Sequence, residues 1–239
     1  MDTLHLNNPR VKMVAHRGLS GFEQENTCAA FVAAGCRSYF GIETDIHRTA
    51  DGQFIVIHDD NTRRVAKDEM IVEKTTFETL SKLRLCDKDG KRGRRDLTLP
   101  TLQDYIRICK KYDKTAVLEL KNQFEGADLD AVIDIIRGEG WLERTIFISF
   151  ALFNMTYIRQ KLPTQKVQFL MFDFPDWLLD TLKEHHLDLD ISYKAVTPEI
   201  VQAVHAIGAE INVWTVDKLE DAQRMAEYGV DYITSNIIE

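Results

Sequence analysis

The chain has 239 residues, 44% hydrophobic and 28% charged, with a formal charge of −8. That composition belongs to a folded globular chain rather than a disordered one. The acidic balance argues against nucleic-acid binding, which draws on clustered cationic surface, and no stretch approaches the roughly 20 apolar residues of a membrane-spanning helix. Residues 1–10 lack the basic-then-apolar pattern of a secretion signal. The four cysteines, Cys28, Cys36, Cys86 and Cys109, form no C-x-x-C pair. Reduced thiols and a cytoplasmic location without stable membrane insertion are therefore expected.

In chain order, β-rich runs are predicted at residues 11–16, 41–46, 115–120, 145–150, 166–172, 188–192, 211–216 and 232–234. Helical spacing lies between most of them. Residues 29–34 end at Gly35, and Leu102, Tyr105, Ile106 and Cys109 follow the i, i+3, i+4, i+7 pattern after Pro100-Thr101. Leu129, Val132, Ile133 and Ile136 repeat it before Gly138, and Pro198 opens a run through Ile200, Val201 and Val204 that stops at Gly208. Alternating strands and helices imply parallel pairing, because a crossover helix is the short right-handed route back to the same sheet. Eight such units predict an α/β fold, a closed (β/α)8 TIM barrel, formed by residues 1–239 as one domain. Residues 59–97 break the alternation. Lys88, Lys91, Arg92, Arg94 and Arg95 crowd around two glycines there, which marks an insertion after the second strand, either substrate-facing or a solvated loop.

Catalytic groups of such barrels sit at the C-terminal strand ends. Titratable residues concentrate there: His16-Arg17-Gly18, Glu43-Thr44-Asp45 and Glu119-Leu120-Lys121. Strand alternation puts Glu43 with Asp45, and Glu119 with Lys121, on shared faces. Charges turned into a barrel cost several kcal/mol, on the order of 3–5, unless paired or metal-bound. Asp51-Gly52 marks a hairpin, and a symmetric fold about it would set His58 opposite Asp45. Three carboxylates without a thiolate are hard oxygen donors suited to Mg2+ or Ca2+. Arg17 and Lys121 suit an anionic substrate, phosphate first, and His16 with His58 supplies a base and an acid. Asp45 is expected to favour the imidazolium form of His58, which makes His16 the base.

These segments, together with Glu25-Asn26-Thr27, His58-Asp59, Leu99-Pro100-Thr101-Leu102 and Trp214-Thr215-Val216, resemble in order the motifs of the glycerophosphodiester phosphodiesterase family. The resemblance covers almost the whole chain. It implies a (β/α)8 barrel with an insertion after the second strand. It also implies cation-dependent hydrolysis of a small glycerophosphodiester to glycerol 3-phosphate and an alcohol. By that resemblance Glu43, Asp45 and Glu119 are metal ligands for Mg2+ or Ca2+, and His16 and His58 the acid–base pair. Arg17 and Lys121 contact phosphate, and Trp214 walls the glycerol moiety or packs in the core. Gln24 replaces the family's usual proline, and the segment after the last strand is too short for the usual closing helix. Two other readings stand beside this one. The aromatic segment Phe172, Phe174, Pro175, Trp177, Leu178 and Leu179 suits either a lipid-facing mouth, as in a lysophospholipase D or a cyclic-phosphate-forming phospholipase, or an amphipathic helix. A non-catalytic phosphodiester-binding protein on the same fold is the other.

Overall fold

A computed structural model describes residues 2–239. Strands β1 (Lys12–Ala15), β2 (Gly41–Arg48), β4 (Thr115–Leu120), β5 (Thr145–Ser149), β6 (Lys166–Met171), β7 (Asp188–Ser192), β8 (Ile211–Trp214) and β9 (Tyr232–Ser235) pair in parallel in that order. Pairing of β9 with β1 closes the ring, Val14 lying opposite Thr234 and Ala15 opposite Ser235. Each of the eight β-rich runs supplies one barrel strand, so the (β/α)8 architecture expected from the sequence is the one observed. A further strand, β3 (Phe54–Val56), runs antiparallel to the end of β2 and forms the hairpin.

Helices α1 (Cys28–Gly35), α3 (Leu102–Lys111), α4 (Gly126–Gly138), α5 (Leu152–Lys161), α6 (Leu178–His185), α7 (Pro198–Ala206) and α8 (Leu219–Tyr228) fill the crossovers. Local chemistry sets their ends. Thr101 and Asp104 form a reciprocal capping box at the start of α3, and Lys110 and Lys111 complement the dipole in its last turn. Leu102, Tyr105, Ile106 and Cys109 form the buried face of α3, and Phe31 of α1 meets Tyr105 edge to face at 5.1 Å. Thr197 caps α7 just ahead of Pro198. The residues after β9 form no helix. They run alongside the N-terminal segment, Leu4 pairing with Ile238, while the Glu239 carboxylate accepts from Ser38 N at 2.6 Å.

The barrel interior is layered. Val14, Val117, Ile146, Ile148, Leu170 and Tyr232 form its apolar filling. At the N-terminal end of the strands, Lys12 lies 4.4 Å from the Tyr232 ring centre. Tyr232 donates to Glu210 at 2.6 Å, which also pairs with Lys166. This mixed ionic and aromatic layer seals the lower end, so the open end is the other one.

The insertion is not a bare charged loop. It carries a short helix, α2 (Phe77–Ser81), and a small core of Val65, Val72, Leu80, Leu83, Leu85 and Leu97 that packs on Ile55 and Ile57 beside the hairpin. Its cationic residues lie outside that core: Arg94, for example, pairs with Glu23 at 2.5 Å. Leu80 is fully buried, so Leu80→Ala should lower stability by roughly 2–5 kcal/mol. Urea denaturation measures this, and a loss below about 0.5 kcal/mol, the range of a neutral surface change, would contradict a packed insertion.

Candidate active site

The first strand delivers its functional groups through a sharp turn. Arg17 and Gly18 both have positive φ, 53° and 74°, and a Cβ on Gly18 would fall 2.6 Å from the backbone carbon of Ala30. Only glycine lets the turn lie against α1. The turn points the Arg17 N–H at Glu43 Oε2, 2.7 Å away, and its guanidinium at Asp45 Oδ2, 3.7 Å, and Glu25 Oε1, 2.8 Å.

Asp45 and Glu119 are register partners on β2 and β4, which is why residues 74 positions apart in sequence share one spot. Glu43, Asp45 and Glu119 are buried, and each offers an oxygen within 4.8 Å of the others'. Lys121 Nζ lies 2.8 Å from Glu119 and 3.5 Å from Asp45. Asn26 donates to Asp45 Oδ2 at 2.7 Å and is itself held by Thr44. Asp45 Oδ1 and Glu119 Oε1 nevertheless accept no well-aligned hydrogen bond, despite the ammonium nearby. Buried oxygens left this way are costly, and three hard donors converging on one point fit a divalent cation.

The electrostatics agree with that fit. Burial, then the neighbouring Asp45 charge, raises Glu43 well above the usual carboxylate range and pushes Glu119 up to about 8. Burial also opposes ionisation of Asp45, but Arg17 and Lys121 overcome it and hold Asp45 low. One carboxylate is thus held ionised by its cations, while burial and its charge shift the two neighbours toward the protonated form.

His16 and His58 line the same cavity, of about 310 Å³, together with Arg17, Glu43, Glu119 and Lys121. The hairpin does return His58 to the barrel mouth, but not opposite Asp45. The turn takes three residues, with Gly52 left-handed, so Ile46 pairs with Val56 and Ile57 N bonds Asp45 O. His58 falls one residue beyond the expected partner. Its Nδ1 lies 2.7 Å from Asp59 Oδ1. Burial lowers the pKa of His58, Arg17 and Lys121 adding to it, and the pull of Asp45 does not compensate. The expected imidazolium preference from Asp45 is therefore outweighed.

His16 Nδ1 sits 2.8 Å from Asn236 Oδ1. That oxygen is an acceptor, because Asn236 Nδ2 donates to Asp217 at 2.6 Å, so neutral His16 carries its proton on Nδ1 and leaves the Nε2 lone pair free. Burial, with Arg17 adding to it, brings His16 down to about 4. Trp214 is half-buried: it lines the cavity, packs against the apolar filling of the barrel and meets Phe172 edge to face at 5.3 Å. Of the aromatic segment, Leu178 is buried at the start of α6, whereas Phe172 and Trp177 are more than half exposed.

Several groups at this site were not assigned from the sequence. Arg64, in the insertion, bonds Glu25 at 2.6 and 2.8 Å and Asp59 at 2.8 and 2.9 Å. It thereby straps the loop holding Arg17 to the residue holding His58. Asn236 and Asp217 orient His16 in the same manner. Glu25, Asn26 and Asp59 stand inside recognisable motifs, but nothing in the spacing singled out Arg64, Asn236 or Asp217.

A (β/α)8 barrel with paired imidazoles, a buried carboxylate trio and two cations at the C-terminal strand ends has the makeup of an enzyme that breaks phosphate esters. Comparison with known proteins makes the class specific. The model of the glycerophosphoryl diester phosphodiesterase family matches residues 16–239. A glycerophosphodiester phosphodiesterase from Caldanaerobacter subterraneus subsp. tengcongensis is 31% identical over 231 residues, 94% of this chain and 93% of that protein. The chain belongs to the glycerophosphoryl diester phosphodiesterase family and is an enzyme of that hydrolase class. The fold agrees with a protein of known structure from Silicibacter pomeroyi at TM-score 0.86, with 24% identity over 96% of this chain and 91% of the other. A phosphodiesterase from Oleispira antarctica, solved with the product sn-glycerol-3-phosphate, superposes at TM-score 0.83, with 22% identity over 94% and 92% of the two chains. Among the described residues no helix is long and apolar enough to cross a membrane.

Because Glu43 and Glu119 hold protons well above the usual carboxylate range, a cation entering the trio must displace them. Affinity for Mg2+ or Ca2+ should therefore rise between pH 5 and 8, with proton release on binding. Calorimetry in two buffers of different ionisation enthalpy reads both, and pH-independent affinity without proton release would contradict a cation held by this trio.

Proposed function

We propose that this chain hydrolyses glycerophosphodiesters to glycerol 3-phosphate and an alcohol, with a divalent cation at Glu43, Asp45 and Glu119, and His16 and His58 as the acid–base pair. One observation carries the reading. Two imidazoles whose Nδ1 atoms are already engaged line one cavity beside the carboxylate trio. Mg2+ or Ca2+ bound there would polarise a phosphoryl oxygen and offset the charge of the trio.

The remaining roles follow from partners. Arg17 and Lys121, which face different oxygens of Asp45, hold the phosphate oxygens and spread the negative charge that develops on them. His16, whose partner is a neutral amide, takes the proton of the attacking hydroxyl onto its free Nε2; attack by water gives glycerol 3-phosphate directly, whereas attack by the glycerol C2 hydroxyl gives a cyclic phosphate that a water must then open. His58 returns a proton to the departing alkoxide as the P–O bond breaks. Its Nδ1–H partner is the carboxylate of Asp59, which sustains imidazolium better than an amide can. Trp214 closes the cavity against the glycerol side. Residues 1–239 act together as one phosphodiesterase domain in this reading, with the insertion contributing Asp59 and Arg64. The sn-glycerol-3-phosphate held by the Oleispira antarctica phosphodiesterase supports this choice of product.

The exposed Phe172 and Trp177 favour a second reading, in which the mouth takes an amphiphilic diester such as a lysophospholipid. Product identification by 31P NMR with glycerophosphocholine and lysophosphatidylcholine distinguishes the two, and shows whether a cyclic phosphate is released. On the first reading, His16→Ala and His58→Ala each lower kcat about 100-fold or more, with the fold intact by circular dichroism. Wild-type kcat/KM should show a bell-shaped pH profile, the acid limb marking protonation of His16 and the alkaline limb loss of the His58 proton. Full turnover in His16→Ala would end this mechanism.

A further inference from the structure

The cavity has two unlike halves. The half on β1, β2 and β4 is ionic, whereas the half on β5, β6 and β8 is apolar, with Ile148, Leu170, Phe172 and Trp214 as its walls. Only two side chains break the apolar half: Asp190 of β7 and Thr234 of β9. The hydroxyl of Thr234 is already satisfied by Asn212, at 3.0 and 3.2 Å. Asp190 is not. It is 1% exposed, yet its Oδ1 has no hydrogen-bond partner, and neither does the buried Nε1 of Trp214 in the neighbouring wall.

A barrel interior of this kind is ordinarily filled with branched apolar side chains, and burying a carboxyl with an oxygen left unpartnered costs several kcal/mol, on the order of 2–7. A leucine at position 190 would remove that cost. A carboxyl kept in such a place is accounted for if its missing partner arrives with a ligand. Burial also pushes Asp190 up to about 8, with Asn212 opposing. At neutral pH the carboxyl is then protonated and uncharged, able both to donate and to accept, without repelling an anionic phosphate. The apolar walls suit a short carbon chain, and the orphaned carboxyl and indole N–H suit hydroxyls on it.

We propose that Asp190, assisted by Trp214 Nε1, is the specificity-determining residue that recognises the terminal hydroxyl of the substrate's glycerol moiety. This rests on the glycerophosphodiesterase reading above and deepens it. The ionic half takes the phosphate, and the C2 hydroxyl stays near phosphorus, which leaves the terminal hydroxyl as the group long enough to reach β7. Asp190 touches no reacting atom in this arrangement. It selects, and the ionic half performs the chemistry.

The test pairs two substrates with two proteins. Glycerophosphocholine is compared with its deoxy analogue, in which the terminal CH2OH is CH3, and bis(p-nitrophenyl) phosphate serves as a diester without glycerol. Wild-type kcat/KM should favour glycerophosphocholine over the deoxy analogue by about tenfold or more, the worth of one buried hydrogen bond. Asp190→Leu should bring glycerophosphocholine down to the level of the analogue and leave bis(p-nitrophenyl) phosphate within about twofold. Asp190→Asn, which keeps a donor and an acceptor, should retain most of the preference. A parallel loss on all three substrates in the leucine variant would mark Asp190 as merely structural and overturn the proposal. If the leucine variant does not fold, the wild-type pair still decides, because equal rates on glycerophosphocholine and its deoxy analogue overturn the subsite alone. Turnover of bis(p-nitrophenyl) phosphate with none of glycerophosphocholine would instead overturn the functional reading, and the subsite with it.

Discussion

The buried carboxylate of Asp45 is the centre on which the open end of the barrel depends. It lies opposite Glu119 in the sheet, accepts from Asn26, and faces both Arg17 and Lys121. Removing a carboxylate from water is expensive, and near-complete burial requires compensation by partners drawn from elsewhere. Those partners come from the turn after β1, the loop before α1 and the end of β4. The loops around the mouth are therefore arranged by the need to neutralise one side chain. The two remaining carboxylates stay above the usual range because burial and the neighbouring Asp45 charge oppose their ionisation, which leaves a position where a further positive charge is favoured.

Around that centre the two histidines are held in different ways. His16 leans on an amide that is anchored by Asp217, and His58 leans on a carboxylate anchored by Arg64. Neighbouring charges move an imidazole strongly in a low-dielectric site. A matched pair of rings is thereby made unequal, and an acid–base couple needs that inequality. The cavity has the same division of labour on a larger scale: an ionic side that can handle phosphate and an apolar side that can receive carbon.

Much of this was legible in the residues. The eight strands stand out because each is a short β-rich run followed by a helical stripe or a turn signal, and α3 and α7 announce themselves through Pro100-Thr101 and Pro198. Helices α5 and α8 were not read from the sequence: α5 buries Asn154 alongside Met155 and Ile158, which blurs its apolar periodicity, whereas Leu219, Ala222, Met225 and Ala226 of α8 do carry a stripe, diluted by two alanines. The hairpin was expected one residue out of register, because Asp51-Gly52 suggests a two-residue turn and the left-handed Gly52 closes a three-residue one. His16, Arg17, Glu43, Asp45, His58, Glu119 and Lys121 were found because strand ends collect them. Arg64 and Asn236 were not, since both sit in irregular segments whose partners are fixed only by tertiary structure. Asp190 was hidden for another reason. Alternation of Asp188, Leu189 and Asp190 looks like a strand with one wet face, whereas in a closed barrel that face is the inside.

The Arg64 strap has a bearing on how this enzyme could vary. The insertion has its own small apolar cluster, and among its links to the histidines of the mouth is a guanidinium gripping two loops at once. Loosening of that cluster, through heat or substitution, would slacken His58 before the barrel itself gave way. If His58 acts as proposed, turnover would then fade while the protein still appeared folded by any bulk measure.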